Sequence, residues 1–232
     1  MPNRDILPLQ RLNSINRLTV VARLLSSAVH DTRNALQIVT GHAELFAETV
    51  GNPEKARERS RAILTHADRA TQRMQGLVLM AQEAVDPPTR FDLRALAEEA
   101  VGLRKSSFGR ARISVTIAPP AGEFWVMASR SDLLRVVVNL LLNAERAVAG
   151  RPGALLTFTV SEAGGRMRLV VQDNGPGVPE AILPTLFEPF GPGAGPGIGL
   201  CVSRWLTERA GGTLQLTSNT GGAQFALELP RA

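Results

Sequence analysis

His30 stands in a short polar run, His-Asp-Thr-Arg-Asn, that is suited to nucleophilic chemistry. A carboxylate that accepts the proton of one ring nitrogen leaves the other as a lone-pair nucleophile, so Asp31 is a candidate general base or orienting group. Asn34 lies one helical turn beyond His30 and could position a water, while Arg33 could offset phosphate charge. In isolation, a histidine beside an acid on a helix is usually only a solvated surface pair.

A second polar pattern lies in the run Arg-Val-Val-Val-Asn-Leu-Leu-Leu-Asn-Ala-Glu-Arg, which begins at Arg135. Asn139, Asn143 and Arg146 are spaced by four and three residues, which places them along one edge of an otherwise apolar helix. An amide oxygen can ligate Mg²⁺ without adding charge, and the arginine can reach phosphates that the ion bridges. Viewed alone, the two asparagines fit a satisfied network in a core equally well.

A third motif, Asp-Asn-Gly-Pro-Gly, follows a predicted strand at Asp173. The Asp173 carboxylate can accept a hydrogen bond from an adenine amino group. Gly175 and Gly177 lack side chains, so the backbone can approach a planar ring closely. These residues therefore indicate one end of a nucleotide pocket.

Two more segments complete the pocket that the sequence predicts. Phe187 and Phe190 bring aromatic rings to its edge. Gly197 and Gly199 then open a helix, whose first N–H groups and positive dipole end favour a phosphate. A lone Gly-x-Gly-x-Gly is weak evidence, and this one does not follow a strand in the manner of a dinucleotide fold.

The N-terminal part of the chain must position His30, and its spacing predicts two helices with heptad seams. From Leu18 to Val50 the apolar residues recur in steps of four and three, with Thr32 as the polar member, and the same spacing runs from Ile63 to Ala81. Gly51-Asn52-Pro53 separates the helices, so we predict a helical hairpin. Narrow seams cannot close a core alone, so two copies are expected to form a homodimeric four-helix bundle.

A second domain is predicted after Asp86-Pro87-Pro88, where the periodicity changes. Asp92 is a candidate N-cap of its first helix, and a long apolar helix follows over 131–148. The fold class is therefore α+β, a hairpin followed by an α/β sandwich in which helices cover one face of a mixed sheet. The domains are an extension at 1–17, the hairpin at 18–86 and the sandwich at 90–232. The predicted strands span 112–118, 124–128, 154–162, 166–173, 213–217 and 223–229.

Composition excludes several classes of protein. The net charge is +5, but the basic residues are spread along the chain, tyrosine is absent and aromatics make up 4%, which argues against nucleic-acid binding. Cys201 is the single cysteine, so we expect it to be a small buried hydrophobe in a protein of the reducing cytoplasm. No signal-peptide pattern or apolar run of about eighteen residues predicts a membrane segment. The residues before Leu18 are too few for a sensory domain, so input is expected from a partner or from the rest of a longer protein.

The order of these motifs resembles that of the two-component sensor histidine kinases. The asparagine helix, Asp-x-Gly-x-Gly, Phe-x-Pro-Phe and Gly-x-Gly-x-Gly-Leu segments resemble their N, first-glycine, F and second-glycine boxes, and the run at His30 resembles their H box. The resemblance covers the chain from about Ala22 to its end. It implies a kinase that phosphorylates His30 from Mg-ATP and passes the phosphoryl group to an aspartate of a response regulator receiver domain.

The resemblance also implies roles for single residues. Asn143 would hold Mg²⁺, and Asn34 would position the water of a phosphatase reaction. The related gyrase and mismatch-repair ATPases carry a glutamate, as general base for water, where Asn139 stands; an amide cannot take that proton, so ATP hydrolysis should be slow. The ATP-binding residues implied are Asn139, Asn143, Arg146, Asp173, Gly175, Gly177, Gly197 and Gly199, with Phe187 and Phe190 at the pocket edge.

The segment between Phe190 and Gly197 departs from the family, whose ATP lid is usually longer and carries Thr, Lys or Arg. Here it is only Gly-Pro-Gly-Ala-Gly-Pro, and Pro196 removes an N–H before the phosphate-binding helix, so weak ATP affinity is expected. Three other functions stay open. They are a phosphotransfer or phosphatase protein with a degenerate nucleotide fold, an anti-sigma factor or chaperone ATPase, which would have no use for the hairpin, and a structural coiled-coil dimer.

Overall fold

The computed structural model of the protein describes residues 6–46, 52–81, 87–118, 122–189 and 198–232. These residues form two compact units. One contains residues 21–46 and 52–81, and the other combines residues 6–20 with residues 87–232. The first turns of the chain therefore belong to the same unit as the predicted sandwich, whereas the sequence marked 1–17 only as an extension.

The hairpin unit is built from the part of helix α1 (Ile6–Phe46) that begins at Val21 and from helix α2 (Pro53–Ala81). Asn52 caps α2, since its Oδ1 accepts a hydrogen bond from the Lys55 N–H over 3.0 Å, and Pro53 occupies the first helical position. The predicted break between the helices is thus confirmed at its second and third residues, while Gly51 and Val50 lie outside the described residues. Among the described residues of this unit, Ala35 and the predicted seam residue Ala70 are buried, whereas Leu25, Val29 and Leu36 of the first predicted seam are exposed.

The first turns of α1 were not predicted, because their buried face is partly polar. Leu12 and Val20 are buried there, but so are Asn16 and Arg17. Hydrophobic periodicity detects a buried helix face only when that face is apolar. The seam from Leu18 was therefore detected and the turns before it were not.

The larger unit contains two sheets. Strands β1 (Thr89–Asp92) and β3 (Trp125–Ala128) pair antiparallel, and a five-stranded sheet has the order β2-β4-β5-β7-β6. In the larger sheet β2 runs parallel to β4 and the other neighbours are antiparallel, so the predicted mixed sheet is confirmed. Its strands are β2 (Ser114–Ile117), β4 (Leu155–Ala163), β5 (Arg166–Asp173), β6 (Thr213–Ser218) and β7 (Gln224–Pro230).

Helices α3 (Leu93–Gly102), α4 (Lys105–Ala111), α5 (Arg130–Val148) and α6 (Gly199–Arg209) complete the unit, with a 3₁₀ helix at Glu180–Thr185. Asp92 caps α3 as predicted, with Oδ1 accepting from the N–H groups of Arg94 and Ala95 at 2.7 and 3.1 Å. Its Oδ2 also accepts from the Phe124 N–H, which ties this helix to the start of β3. Strand β1, helix α4 and the 3₁₀ helix were not predicted.

The core lies between α5 and one face of the large sheet. Most side chains of α5 from Leu133 to Leu142 are almost fully buried, as are alternate residues of β4 and β5. Burying a side chain such as Leu or Phe stabilises the fold by about 1.5–3 kcal/mol. Because α5 also carries Asn139 and Asn143, this core fixes the polar edge of the helix. Within the described ranges, no helix is long and apolar enough to cross a membrane.

Candidate functional site

His30 is exposed on α1, and Asn34 lies beside it. The Asn34 Nδ2 and His30 Nδ1 atoms are 3.3 Å apart, so the predicted shared face is confirmed. Which ring nitrogen carries the proton depends on which end of the amide faces the ring. The Asp31 side chain lies outside the described residues, and its role as general base stays a prediction.

Asn139 lies in a buried polar network on α5. Its Nδ2 donates to Asn16 Oδ1 over 3.0 Å and to Ser203 Oγ over 3.2 Å, and all three side chains are buried. The network that the sequence left as an alternative is therefore present at this residue. Neither Asn16 nor Ser203 was singled out from the sequence, because nothing in the local pattern links either residue to Asn139.

A cluster of charged groups lies one turn before Asn139. Arg135 is buried, ion-paired with Asp132, and donates from one guanidinium nitrogen to Asn13 Oδ1 over 3.0 Å. Burial lowers the pKa of Arg135, an effect that Asp132 opposes and that the positive charge of Arg17 reinforces. Two polar residues from the first turns of α1, Asn13 and Asn16, thus bond this edge of α5.

Further along α5 the polar edge opens toward solvent. Asn143 is half-buried and Arg146 is exposed. Within the described ranges, no side-chain hydrogen bond is made to the Asn143 amide. Arg104 donates three hydrogen bonds to the Glu145 carboxylate, at 2.6, 2.9 and 3.1 Å, and these anchor α5 at a point between Asn143 and Arg146.

Asp173 ends β5 in a buried position. Its Oδ1 accepts from the N–H groups of Gly175 at 2.8 Å and Ala223 at 3.3 Å. Burial raises the pKa of this carboxyl, and the two backbone donors and Arg151 partly oppose that rise. Among the residues that the structure describes, none donates to Oδ2, which leaves that oxygen as an acceptor for a ligand N–H.

The two glycines after Asp173 are required by contacts within the protein. A Cβ on Gly175 would lie 2.7 Å from Asp173 Oδ1 and 3.0 Å from the Ala147 Cβ of α5. A Cβ on Gly177, whose φ is +76°, would lie 2.6 Å from Asn219 Oδ1. These contacts within the protein require both glycines, and their predicted close approach to a ligand ring stays a prediction.

The start of α6 faces Asn139. A Cβ on Gly199 would lie 3.6 Å from Asn139 Oδ1. Its N-cap residue, Ile198, makes no side-chain hydrogen bond, and among the described residues no side chain caps the first N–H groups, which an anion could therefore bind. Gly197 and Phe190 lie outside the described residues, so their predicted roles stay predictions.

Phe187 packs against Phe225 of β7 and Arg204 of α6. Its ring meets that of Phe225 edge to face with centroids 6.5 Å apart, and the Arg204 guanidinium lies 5.1 Å from the Phe187 centroid. Cys201, one turn before Trp205 on α6, is buried, as predicted, and burial raises the pKa of its thiol.

Comparison with known proteins agrees with this geometry. Residues 128–232 match the profile of the family described as histidine kinase-, DNA gyrase B- and HSP90-like ATPase. The sensor histidine kinase ZraS of Klebsiella oxytoca is 29% identical over 218 residues, which cover 92% of this chain and 47% of that protein. The catalytic domain of the histidine kinase ThkA is 26% identical with a TM-score of 0.58, over 62% of this chain and 97% of that structure.

Residues 128–232 thus match that ATPase family, and nearly the whole chain is similar to two-component sensor histidine kinases. A structure of ThkA in complex with the response regulator protein TrrA shares the fold over 94% of this chain and 64% of its own, at 22% identity and a TM-score of 0.55. The chain spans about half the length of the curated relative ZraS.

The kinase fold brings several of the predicted residues together along α5. Gly199 lies at Asn139, and Gly175 lies at Ala147, so Asn143 and Arg146 stand between the second-glycine and first-glycine segments. Phe187 lies beside α6, where its ring contacts the Arg204 guanidinium. His30 and Asn34 belong to the other compact unit.

Proposed function

We propose that the chain is an ATP-dependent protein histidine kinase. It would transfer the γ-phosphoryl group of Mg-ATP to His30 and then to an aspartate of a response regulator receiver domain. Its similarity to sensor histidine kinases and the site along α5 support this activity. The ThkA–TrrA complex supports a receiver domain as the class of partner.

The observation that carries the proposal is the placement of both glycine segments against α5. Gly199 lies beside Asn139 of α5, and Gly175 lies beside Ala147 of the same helix. The rise along α5 between these two helix residues is about 12 Å. A nucleotide lying along this edge would have its base at Asp173 and its phosphates at the uncapped start of α6. Asp173 Oδ2 would then accept a hydrogen bond from the adenine amino group, as a carboxylate can.

Asn143, midway along this edge, fits the phosphates of such a nucleotide, and the long side chain of Arg146 would reach back to them from a point nearer the base. The half-buried Asn143 amide supplies a neutral oxygen ligand for Mg²⁺, and Arg146 supplies a cation one turn further along. Bound Mg²⁺ would neutralise charge on the β- and γ-phosphates. Asn139, in contrast to a glutamate, cannot deprotonate water, so the site would hold ATP until an imidazole reaches the γ-phosphorus.

The transfer itself would use the side chains around His30. A ring nitrogen forms a bond to the γ-phosphorus, the bond from that phosphorus to the β–γ bridging oxygen breaks, and ADP leaves. A hydrogen bond from one ring nitrogen to the Asp31 carboxylate would leave the other ring nitrogen as the nucleophile, and Asn34, whose Nδ2 lies 3.3 Å from His30 Nδ1, would hold the ring in place. Asp31 is proposed to stabilise the imidazolium character that develops. In the second step a receiver carboxylate attacks the same phosphorus, and the imidazole is the leaving group.

The hairpin unit is proposed to dimerise. Large apolar side chains remain exposed along both helices of the single chain, among them Leu36 at 54% and Leu64 at 62%. Large apolar surface of this kind is usually covered by a partner, and a second hairpin has the matching seam. A chain that sediments as a monomer at micromolar concentration would overturn this proposal.

The single buried cysteine supports a place in the reducing cytoplasm.

A second candidate is a phosphotransfer or phosphatase protein in which ATP binds poorly. The uncharged run from Gly191 to Pro196 favours it, because such a segment offers no cation to the phosphates. In that protein His30 would receive its phosphoryl group from another kinase, and Asn34 would position the water that removes a phosphoryl group from the receiver. In both candidates His30 carries the phosphoryl group, and they differ in the molecule that donates it: ATP or another kinase.

Incubation with γ-labelled ATP and Mg²⁺, followed by addition of a receiver domain, separates these candidates. The kinase proposal predicts label on the chain that moves to the receiver. No label on the chain at millimolar ATP, together with label gained from a phosphorylated partner, would favour the phosphotransfer protein instead.

A further inference from the structure

Asn219, in the turn between β6 and β7, is bonded at both ends of its amide to the loop that follows Asp173. Its Oδ1 accepts from the Val178 N–H over 2.6 Å, and its Nδ2 donates to the Val178 carbonyl over 2.7 Å. Among the described residues, these bonds are the ones made by the backbone of Val178. The side chain thus takes the place of a neighbouring strand for this residue.

The same turn holds the other end of the loop. A Cβ on Gly222, whose φ is +126°, would lie 1.8 Å from the Asp173 carbonyl oxygen, so the two backbones are in contact. The adjacent Ala223 N–H donates to Asp173 Oδ1. The loop from Asp173 to Val178 is therefore fixed at its first residue by Gly222 and Ala223 and at its last by Asn219.

Gly177 shows how closely Asn219 fits. Its absent Cβ would lie 2.6 Å from Asn219 Oδ1, so the glycine makes room for the amide. Between the two fixed ends, Gly175 packs against Ala147 of α5. A shift of the loop at Val178 would consequently move the backbone that forms the base-binding end of the proposed pocket.

We propose that Asn219 is a positioning residue for the nucleotide: it holds the loop from Asp173 to Val178 in its binding conformation before ATP arrives. This inference rests on the proposed function, because it assigns the base of ATP to that loop. A loop ordered in advance does not lose conformational freedom on binding, so the effect of Asn219 falls on affinity. The chemistry at the γ-phosphate, at the other end of the nucleotide, should be unaffected.

The experiment compares Asn219→Ala and Asn219→Asp with Thr217→Ala in the full chain. Thr217 is the matched control, since its hydroxyl donates to the Gln224 carbonyl within the same β-hairpin and does not reach the loop. Loss of two neutral hydrogen bonds should weaken Mg-ATP binding by about five- to thirtyfold in Asn219→Ala. Asn219→Asp keeps the acceptor for the Val178 N–H but turns a carboxylate oxygen toward the Val178 carbonyl oxygen, so its affinity should fall at least as far as that of Asn219→Ala.

Two readouts distinguish positioning from a general loss of structure. The KM for ATP should rise while kcat at saturating ATP stays within about twofold, as expected for lost ground-state binding. Hydrogen exchange of the Val178 amide, measured without nucleotide, should accelerate in Asn219→Ala and stay unchanged in Thr217→Ala. If the wild-type chain binds ATP and Asn219→Ala binds it with the same affinity, the inference is overturned and the proposed kinase activity is not. The same holds if Asn219→Ala lowers kcat and leaves the KM for ATP unchanged. A wild-type chain that binds no ATP overturns the inference together with the proposed kinase activity.

Discussion

Asn16 and Asn139 face each other through their side-chain amides. Asn139 Nδ2 donates to Asn16 Oδ1 over 3.0 Å, and Asn16 Nδ2 donates to Asn139 Oδ1 over 3.5 Å. The Asn16 Nδ2 also lies 3.8 Å from the position of a Cβ on Gly199. An amide from the first turns of α1 therefore lies between the two segments that we propose bind phosphate, and a nucleotide bound there must compete with it.

Replacement of Asn16 by alanine should tighten Mg-ATP binding. The change removes the hydrogen bonds between Asn16 and Asn139, while Ser203 Oγ still accepts a hydrogen bond from Asn139. If ATP no longer has to displace a contact worth about 1 kcal/mol, its Kd should fall about fivefold. Thr19→Ala is the control, because that hydroxyl donates to Ile15 O within the same helix. Titration calorimetry provides the measurement, and weaker binding by Asn16→Ala would show that Asn16 supports the nucleotide site.

Asn143→Asp should abolish labelling of the chain by ATP. The new carboxylate would place a negative charge beside the proposed phosphates, and the loss of electrostatic stabilisation is expected to lower the rate at least about hundredfold. The oligomeric mass should not change, since Asn143 lies on α5 and the proposed dimer uses the hairpin. Dissociation of this variant would show that the roles of the two units are not separable.

Asp173→Asn should weaken ATP binding and at the same time stabilise the fold at neutral pH. Because burial raises the folded-state pKa of this carboxyl above its ordinary 3.8, the folded state binds its proton more tightly than the unfolded chain does. Wild-type stability should accordingly fall as pH rises from the ordinary pKa through the folded-state pKa. The asparagine variant lacks this fall, and denaturant unfolding across that pH window measures the difference. If the stability of the wild-type protein and that of Asp173→Asn depend on pH in the same way, the raised pKa of Asp173 is contradicted.

Glu145→Ala should destabilise the α/β unit by about 1–3 kcal/mol, because it leaves the largely buried Arg104 guanidinium without its bidentate partner. Glu98→Ala removes the exposed pair with Arg94 and should change the free energy of unfolding by less than about 0.5 kcal/mol. Equal losses in the two variants, measured by urea unfolding, would show that Glu145 does not anchor α5.

The sequence predicted those features whose causes are local. The apolar run with Asn139 and Asn143 at helical spacing predicted α5, and Asp92 predicted the start of α3, since periodicity and capping are encoded within a few residues. Alternation predicted the strands of the mixed sheet. Four-residue β1, which pairs with β3 across more than thirty positions, carries too short a pattern to be detected.

The contacts that the sequence did not predict join residues far apart in the chain. Asn16 bonds Asn139 across 123 positions, and Asn219 bonds Val178 across 41. A side-chain amide carries no periodic signal of its partner, so only the folded chain identifies these pairs. The glycines illustrate the same limit: Gly175 and Gly177 were expected to allow the close approach of a ligand ring, and the folded chain also brings Ala147 and Asn219 close to them.

The central claim, that ATP phosphorylates His30, is tested most directly by labelling the full chain with γ-labelled ATP and Mg²⁺. The label should survive alkali, be lost in acid as phosphohistidine is, and be absent from His30→Gln, while His42→Gln is labelled normally. Label that persists in His30→Gln, or that is stable to acid, would contradict the claim.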